Sequence, residues 1–190
     1  MKVIALLGNP GRQYQNTRHN YPWLVADSMS WLSSGWNEKF KGLYQDLRFD
    51  DERLIFLKPM TQMNLSGQSV QAAMAFYKIM ARDLLVAHDD IELPFGQAAF
   101  KSGGGHGGHN GLRSVIELLG SSDFYRLRLG IGRPLHGPVA SHVLGRFSSE
   151  EEAVLPRYLE LYGAFLHKLR DSDLKSFSAE YSKINLDTPL

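Results

Sequence analysis

The sequence predicts an α/β protein: a single domain on a twisted, mostly parallel (mixed) central sheet flanked by helices. Short apolar runs bounded by turn residues alternate along the chain with segments of helical periodicity. Several runs are apolar at consecutive positions, as in strands buried on both faces. No internal repeat breaks the alternation, and 190 residues suit one domain.

Val3 to Leu7 reads as the first strand, closed by Gly8-Asn9-Pro10. A helix begins around Pro22, whose fixed φ suits a first turn, with Val25, Met29 and Leu32 on its apolar face. Arg53 to Leu57 is a second strand, stopped by Lys58-Pro59. Val70, Met74 and Tyr77 mark a helix from Ser66 to about Met80, and Leu84 to His88 a third strand ending in Asp89-Asp90. Gln97–Lys101 and Arg126–Ile131 are further strands, with a helix over Asn110–Leu119 between them and Gly120 as its stop. A capping box at Ser149-x-x-Glu152 opens the last helix, whose stripe runs through Leu155, Tyr158, Tyr162, Phe165 and Leu169. Pro156 inside that stripe predicts a kink or a delayed start. The polar residues 170–190 are expected to form a loosely held tail.

Composition removes several classes of function. Hydrophobic residues make up 43% and charged residues 22%, enough for a buried core. With no cysteine, disulfides, a thiolate nucleophile and Cys-ligated metal are excluded. No apolar run is long enough to span a bilayer, and the first ten residues fit a buried strand better than a secretory signal, so the expected location is cytoplasmic. The net charge of +1 names no partner, but between Leu93 and Arg146 six bases face two acids, a local surplus suited to phosphates.

In a sheet of this type ligands bind beyond the carboxyl ends of the strands, which brings the loops after Leu7, Leu57 and His88 to one rim. Gly8-Asn9-Pro10-Gly11 also reads as an ordinary turn, and Asn64 and Ser66 of the second loop as helix-cap residues. His19 is the side chain suited to proton transfer near neutrality, and Asp89, just past a buried strand, is placed to accept a hydrogen bond from an imidazole. Lys101 to Gly111 holds six glycines in eleven residues without a Walker or dinucleotide pattern, so no nucleotide cofactor is expected. His88, His106 and His109 with Asp89 are ligand types for zinc, but their spacing lacks a metal signature, and a metal-free His–Asp device is the better reading.

Taken together, these segments resemble bacterial peptidyl-tRNA hydrolases. The resemblance rests on Gly8-Asn9-Pro10-Gly11 with Tyr14 and Thr17-Arg18-His19-Asn20, on Lys58-Pro59-x-Thr61-x-Met63-Asn64-x-Ser66-Gly67, and on His88-Asp89-Asp90-x-x-Leu93-Pro94-x-Gly96. It continues through Gly103 to Leu112 and Arg126-Leu127-Arg128-x-Gly130-Ile131-Gly132, in order from residue 3 to about 147. It implies an enzyme without a cofactor that cuts the ester between peptide and the 3′-terminal ribose of tRNA. In that family His19 aligns with the general base on water and Asp89 with the residue orienting it. Asn9 aligns with a contact to the peptide end, Asn64 and Asn110 with amides that position substrate and water, and Tyr14 with a tRNA contact. Lys101 and Arg128 match basic positions near the acceptor end, and Gln62 stands at a substrate-facing position. A monomer is expected. Two positions depart from the pattern: Tyr21-Pro22 follows Asn20 where the family has a nearby Gly, and Gln62 replaces an aromatic residue. The competing expectations are an RNA-binding relative that does not hydrolyse and a hydrolase using metal at His88, His106 and His109.

Overall fold

A computed structural model describes residues 1–32, 35–49 and 52–187. The strands are β1 (Lys2–Leu6), β2 (Asn37–Lys39), β3 (Gly42–Phe49), β4 (Glu52–Pro59), β5 (Leu84–Asp90), β6 (Gln97–Ser102), β7 (Tyr125–Gly130) and β8 (Ile184–Asn185). The helices are α1 (Tyr21–Ser28), α2 (Ser66–Tyr77), α3 (Asn110–Leu119), α4 (Val139–Val143), α5 (Ser149–Lys168) and α6 (Leu174–Glu180).

The sheet is mixed, in the order β2-β3-β4-β1-β5-β7-β6-β8. Its middle four strands, β4, β1, β5 and β7, are parallel, and the outer pairings are antiparallel. The central strands are buried on both faces because two cores sandwich them. Ile4, Leu6, Leu85 and Ala87 face Tyr21, Val25, Tyr162 and Phe165 of α1 and α5. Val3, Ala5, Val86 and Ile55 face Val70 and Met74 of α2 and Leu112 and Val115 of α3. Adjacent residues thus serve opposite cores, which is why these runs show no polar alternation.

Four differences from the sequence reading follow from tertiary contacts. β2 and β3 form an edge hairpin that the apolar pattern did not announce, since β2 is exposed and β3 only half-buried. The capping box is Ser148 with Glu151, not Ser149 with Glu152: Ser148 Oγ accepts from Glu151 N–H at 3.2 Å and Ser148 N–H donates to Glu151 Oε2 at 2.7 Å. Both pairs fit the motif, but Glu151 also binds the Arg18 guanidinium, and that contact selects the register. α5 starts at Ser149 and runs through Pro156, whose missing N–H leaves only the carbonyl of the solvent-exposed Glu152 without its usual donor. The segment read as a loose tail packs as far as residue 187: Leu174, Phe177, Ile184 and Leu186 are buried, and β8 pairs with β6. Residues 188–190 lie outside the described residues. Tyr21-Pro22 enters α1 with the tyrosine ring fully buried, edge-on to Phe147 and Tyr162.

Candidate active site

The parallel order of β4, β1, β5 and β7 places their carboxyl ends at one rim, where a cleft of about 980 Å3 opens. Asp89 lies near the end of β5 and is 2% exposed. His19 stands on the short 3-10 turn Arg18–Asn20, which is fastened from two sides. Arg18 N–H donates to Gly145 O at 3.0 Å, and its guanidinium holds Arg146 O and Glu151. On the other side, Asn9 N–H donates to Asn20 Oδ1 and Asn20 Nδ2 donates to Asn9 O, each at 2.9 Å.

His19 Nδ1 lies 2.8 Å from Asp89 Oδ1. The same oxygen lies 3.0 Å from His109 Nε2. His109 is the N-cap of α3, and its Nδ1 accepts from Gly111 N–H at 3.1 Å and Leu112 N–H at 3.3 Å. An Nδ1 that accepts cannot carry the ring proton, so His109 donates from Nε2. The carboxylate only accepts, so His19 donates from Nδ1, leaving Nε2 as its free ring nitrogen. Burial alone would lower the His19 pKa, but the charge of Asp89 and its hydrogen bond carry it above the usual histidine value. Burial alone would raise the Asp89 pKa, but His19 and His109 hold it well below the carboxylate range.

His88 packs edge-on against the His109 ring at 5.1 Å but bonds elsewhere: its Nδ1–H donates to Asp89 O at 2.8 Å, and burial, then the neighbouring His109, push its pKa down to about 3. The set His88, His106 and His109 does not converge. His106 sits on the glycine-rich loop, with Nδ1 accepting from Gly108 N–H at 3.1 Å. The ligand-type atoms that do converge belong to His19, Asp89 and His109, within 4.8 Å of one another. They could hold a cation only by giving up the two imidazole–carboxylate hydrogen bonds.

Every other residue singled out from the sequence lines the same cleft: Asn9, Tyr14, Gln62, Asn64, Lys101, Asn110 and Arg128. Asn9 is buried, and its Oδ1 accepts from Met63 N–H at 2.7 Å, which turns its Nδ2 donors to use in the cleft. Gln62, Asn64 and Asn110 are exposed at the edge, and Tyr14 is half-buried. Lys101 is exposed, whereas Arg128 Nε donates to Asp90 Oδ2 at 2.7 Å, so its charge is partly neutralised within the chain. Val139, Val143 and Leu144 of the α4 region supply an apolar wall.

Two contributors were not assigned these roles from sequence. His109 was weighed only as a metal ligand, and histidine is not among the Ser, Thr, Asp and Asn residues that announce an N-cap. Asn20, which locks Asn9, has no local signal at all.

The comparisons with known proteins decide the family. The model of the peptidyl-tRNA hydrolase family matches residues 3–188. The chain belongs to the peptidyl-tRNA hydrolase family. Among its relatives, the peptidyl-tRNA hydrolase of Geotalea daltonii is 52% identical over 162 residues, 84% of this chain and 85% of the relative. That of Pelobacter propionicus is 47% identical over 187 residues, covering 97% of both. The crystal structure of peptidyl-tRNA hydrolase from Acinetobacter baumannii superposes with a TM-score of 0.85 at 33% identity, covering 96% of this chain and 94% of that one. Membership in the peptidyl-tRNA hydrolases extends past the motifs into the α5–β8 segment, consistent with its packing against the sheet. Among the described residues, no helix is long and apolar enough to cross a membrane.

Proposed function

We propose that this chain hydrolyses the ester linking a peptide to the 3′-terminal ribose of tRNA, with His19 as general base and Asp89 as its orienting partner. The observation that supports these roles most directly is the hydrogen bond from His19 Nδ1 to Asp89 Oδ1, which leaves Nε2 free on a residue lining the cleft. Nε2 takes a proton from water as the oxygen attacks the ester carbonyl. Asp89 stabilises the imidazolium, and the proton passes to the ribose 3′-oxygen as the carbon–oxygen bond breaks. A base so placed supplies roughly 10²–10⁴-fold in rate.

The developing oxyanion needs donors. The amides of Gly111 and Leu112 in the first turn of α3 are occupied by His109 Nδ1, and that of Arg113 by His109 O. The side-chain amides of Asn9 and Asn110 are therefore the donors we assign to it, with Asn64 holding substrate at the edge. Tyr14 and Gln62 contact the substrate on the same rim. Lys101 and Arg128 meet backbone phosphate without reading sequence. We read the chain as a monomer and as a cytoplasmic protein, since its proposed substrate arises where translation takes place.

Single-turnover release of peptide from an N-blocked aminoacyl-tRNA, with chelator present, tests this in the parent and in His19→Ala. Fast cleavage that collapses in the variant is expected. tRNA binding without cleavage by the parent would leave an RNA-binding protein, and loss of parental activity on chelation would leave a metal enzyme at His19, Asp89 and His109.

A further inference from the structure

β6 and β7 pair so that Lys101 stands directly opposite Arg126, and Arg128 follows two residues on along the same face. Three cations share this patch, and like charges directly opposite are destabilising. Asp90 answers Arg128. Among the described residues, Lys101 and Arg126 have no carboxylate partner. Lys101 resolves the conflict by reaching solvent, but Arg126 does not: it is 4% exposed and lies over the Phe124 ring at 4.9 Å. A guanidinium buried without an anion needs other acceptors.

Its two terminal nitrogens find them in the glycine-rich loop, while Nε, also buried, has no partner among the described residues. Arg126 Nη1 donates to Gly105 O at 2.6 Å, and Nη2 donates to Gly104 O. Those carbonyls point inward because Gly103 and Gly104 adopt φ of +65° and +100°, which residues with a Cβ rarely do. The loop is thereby divided. Its first part is tied to β7 through Arg126 and through Gly103 N–H donating to Phe124 O at 3.0 Å. Its second part, around Gly107 and Gly108, has nothing within 4 Å of where a side chain would begin. Beyond it stand His109, which holds Asp89, and Asn110.

We infer that Arg126 is a positioning residue: its planar fork fixes the route of the loop from β6 to α3, and so sets where His109 and Asn110 stand in the cleft. Arg126 lines the cleft beside two cations, but it is buried and one N–H of each terminal nitrogen is spent on a backbone carbonyl, so we assign it to holding the loop rather than to binding phosphate. The inference rests on the proposed hydrolysis for its kinetic part only.

Arg126→Lys, which keeps the charge but cannot span two carbonyls, and Arg126→Gln separate these roles. The readouts are kcat and KM for N-blocked aminoacyl-tRNA across a salt series, and hydrogen exchange of residues 103–110 in the free protein. For Arg126→Lys we expect faster exchange across residues 103–106 and a fall in kcat on the order of tenfold to a hundredfold, as misplacement of a reacting group produces. The salt dependence of KM should stay as in the parent. Unchanged kcat with a raised KM and a salt slope shallower by about 0.7–0.9 would make Arg126 a phosphate contact and overturn the proposal. Parental exchange and kinetics in Arg126→Lys would overturn it as well. If Arg126→Gln does not fold, Arg126→Lys alone decides. A parent that fails to cleave refutes the proposed hydrolysis, while the exchange arm still reads the strut.

Discussion

Replacing Asp89 by Asn tests the central device with little change of shape. Asn retains an acceptor oxygen where Asp89 Oδ1 meets His19 Nδ1 at 2.8 Å and His109 Nε2 at 3.0 Å, so the rings can stay in place while the charge is lost. At 2.8 Å the gross attraction between a carboxylate and an imidazolium is about 6 kcal/mol at an effective dielectric of 20, which bounds the effect from above. A hydrogen bond to a charged group contributes a net ~1.5–3 kcal/mol. At about 1.36 kcal/mol per decade, losing it from the imidazolium-like transition state lowers kcat roughly ten- to a hundredfold or somewhat more. The pH profile carries a second, opposite signature. His19 is active when neutral, so kcat/KM rises with pH through its pKa, which Asp89 holds above the usual value. In Asp89→Asn the plateau falls and the acid limb moves to lower pH, so the two enzymes converge as the solution is acidified. The assay is single-turnover cleavage of N-blocked aminoacyl-tRNA from about pH 5 to 9, with tRNA binding as a control. An unchanged plateau, or an acid limb that stays put or moves upward, would refute the assignment of Asp89 to His19.

Other expectations follow from separate contacts. His109→Ala removes both the cap of α3 and a partner of Asp89; thermal unfolding should register a loss of about 0.5–2 kcal/mol, together with reduced kcat, and a variant as stable and active as the parent would contradict the cap. KM for tRNA substrate should rise with salt, and Lys101→Ala should flatten the slope by about 0.7–0.9; an unaltered slope would remove Lys101 from phosphate contact. A Cβ at Gly67 would lie 2.2 Å from Ser114 O, so Gly67→Ala should lower the denaturant midpoint by an equivalent of about 1–3 kcal/mol or more, and an unaffected midpoint would mean that α2 and α3 do not cross this closely. Buried His88 has a folded-state pKa of about 3 against an ordinary 6.5, so its contribution to stability is full above the ordinary value and falls as pH drops toward 3, by at most ~1.4 kcal/mol per unit. Urea midpoints at pH 7 and pH 5 should therefore differ less in His88→Asn than in the parent, and equal differences would refute the buried neutral ring.

What could be read from the sequence was what depends on near neighbours, and what escaped it depends on distant ones. The parallel core strands announce themselves because two-sided burial makes β1, β4 and β5 apolar residue after residue, and α3 because its Gly120 stop directly follows its apolar-periodic run. β3 escaped because the buried polar Gln45 interrupts its apolar alternation, and because its turn places Phe40 and Lys41 at positive φ, where hairpins usually show Asn or Gly. The α6–β8 segment escaped because four buried apolar residues are dispersed among polar ones, so neither periodicity nor composition marks it. The capping box slipped by one residue for the same kind of reason, since the deciding partner, Arg18, is 133 positions away from Glu151.

The site repeats that division. The residues that line the cleft were legible because the proposed chemistry calls for their types: a neutral imidazole, a carboxylate to orient it, and amides that donate without competing for the proton. Their coupling was not, because one carboxylate oxygen accepts from two histidines carried by segments 90 residues apart in the chain. That sharing has a physical consequence. His109 is tied at Nδ1 to the first turn of α3 and at Nε2 to Asp89, so the helix that carries Asn110 and the carboxylate that orients His19 are joined by a single ring. His19 and the first turn of α3 are thus tied through one carboxylate and one ring. The loop that precedes this connection is held in turn by the buried fork of Arg126, which puts the precision of the cleft under the control of a residue on β7 that need never touch substrate.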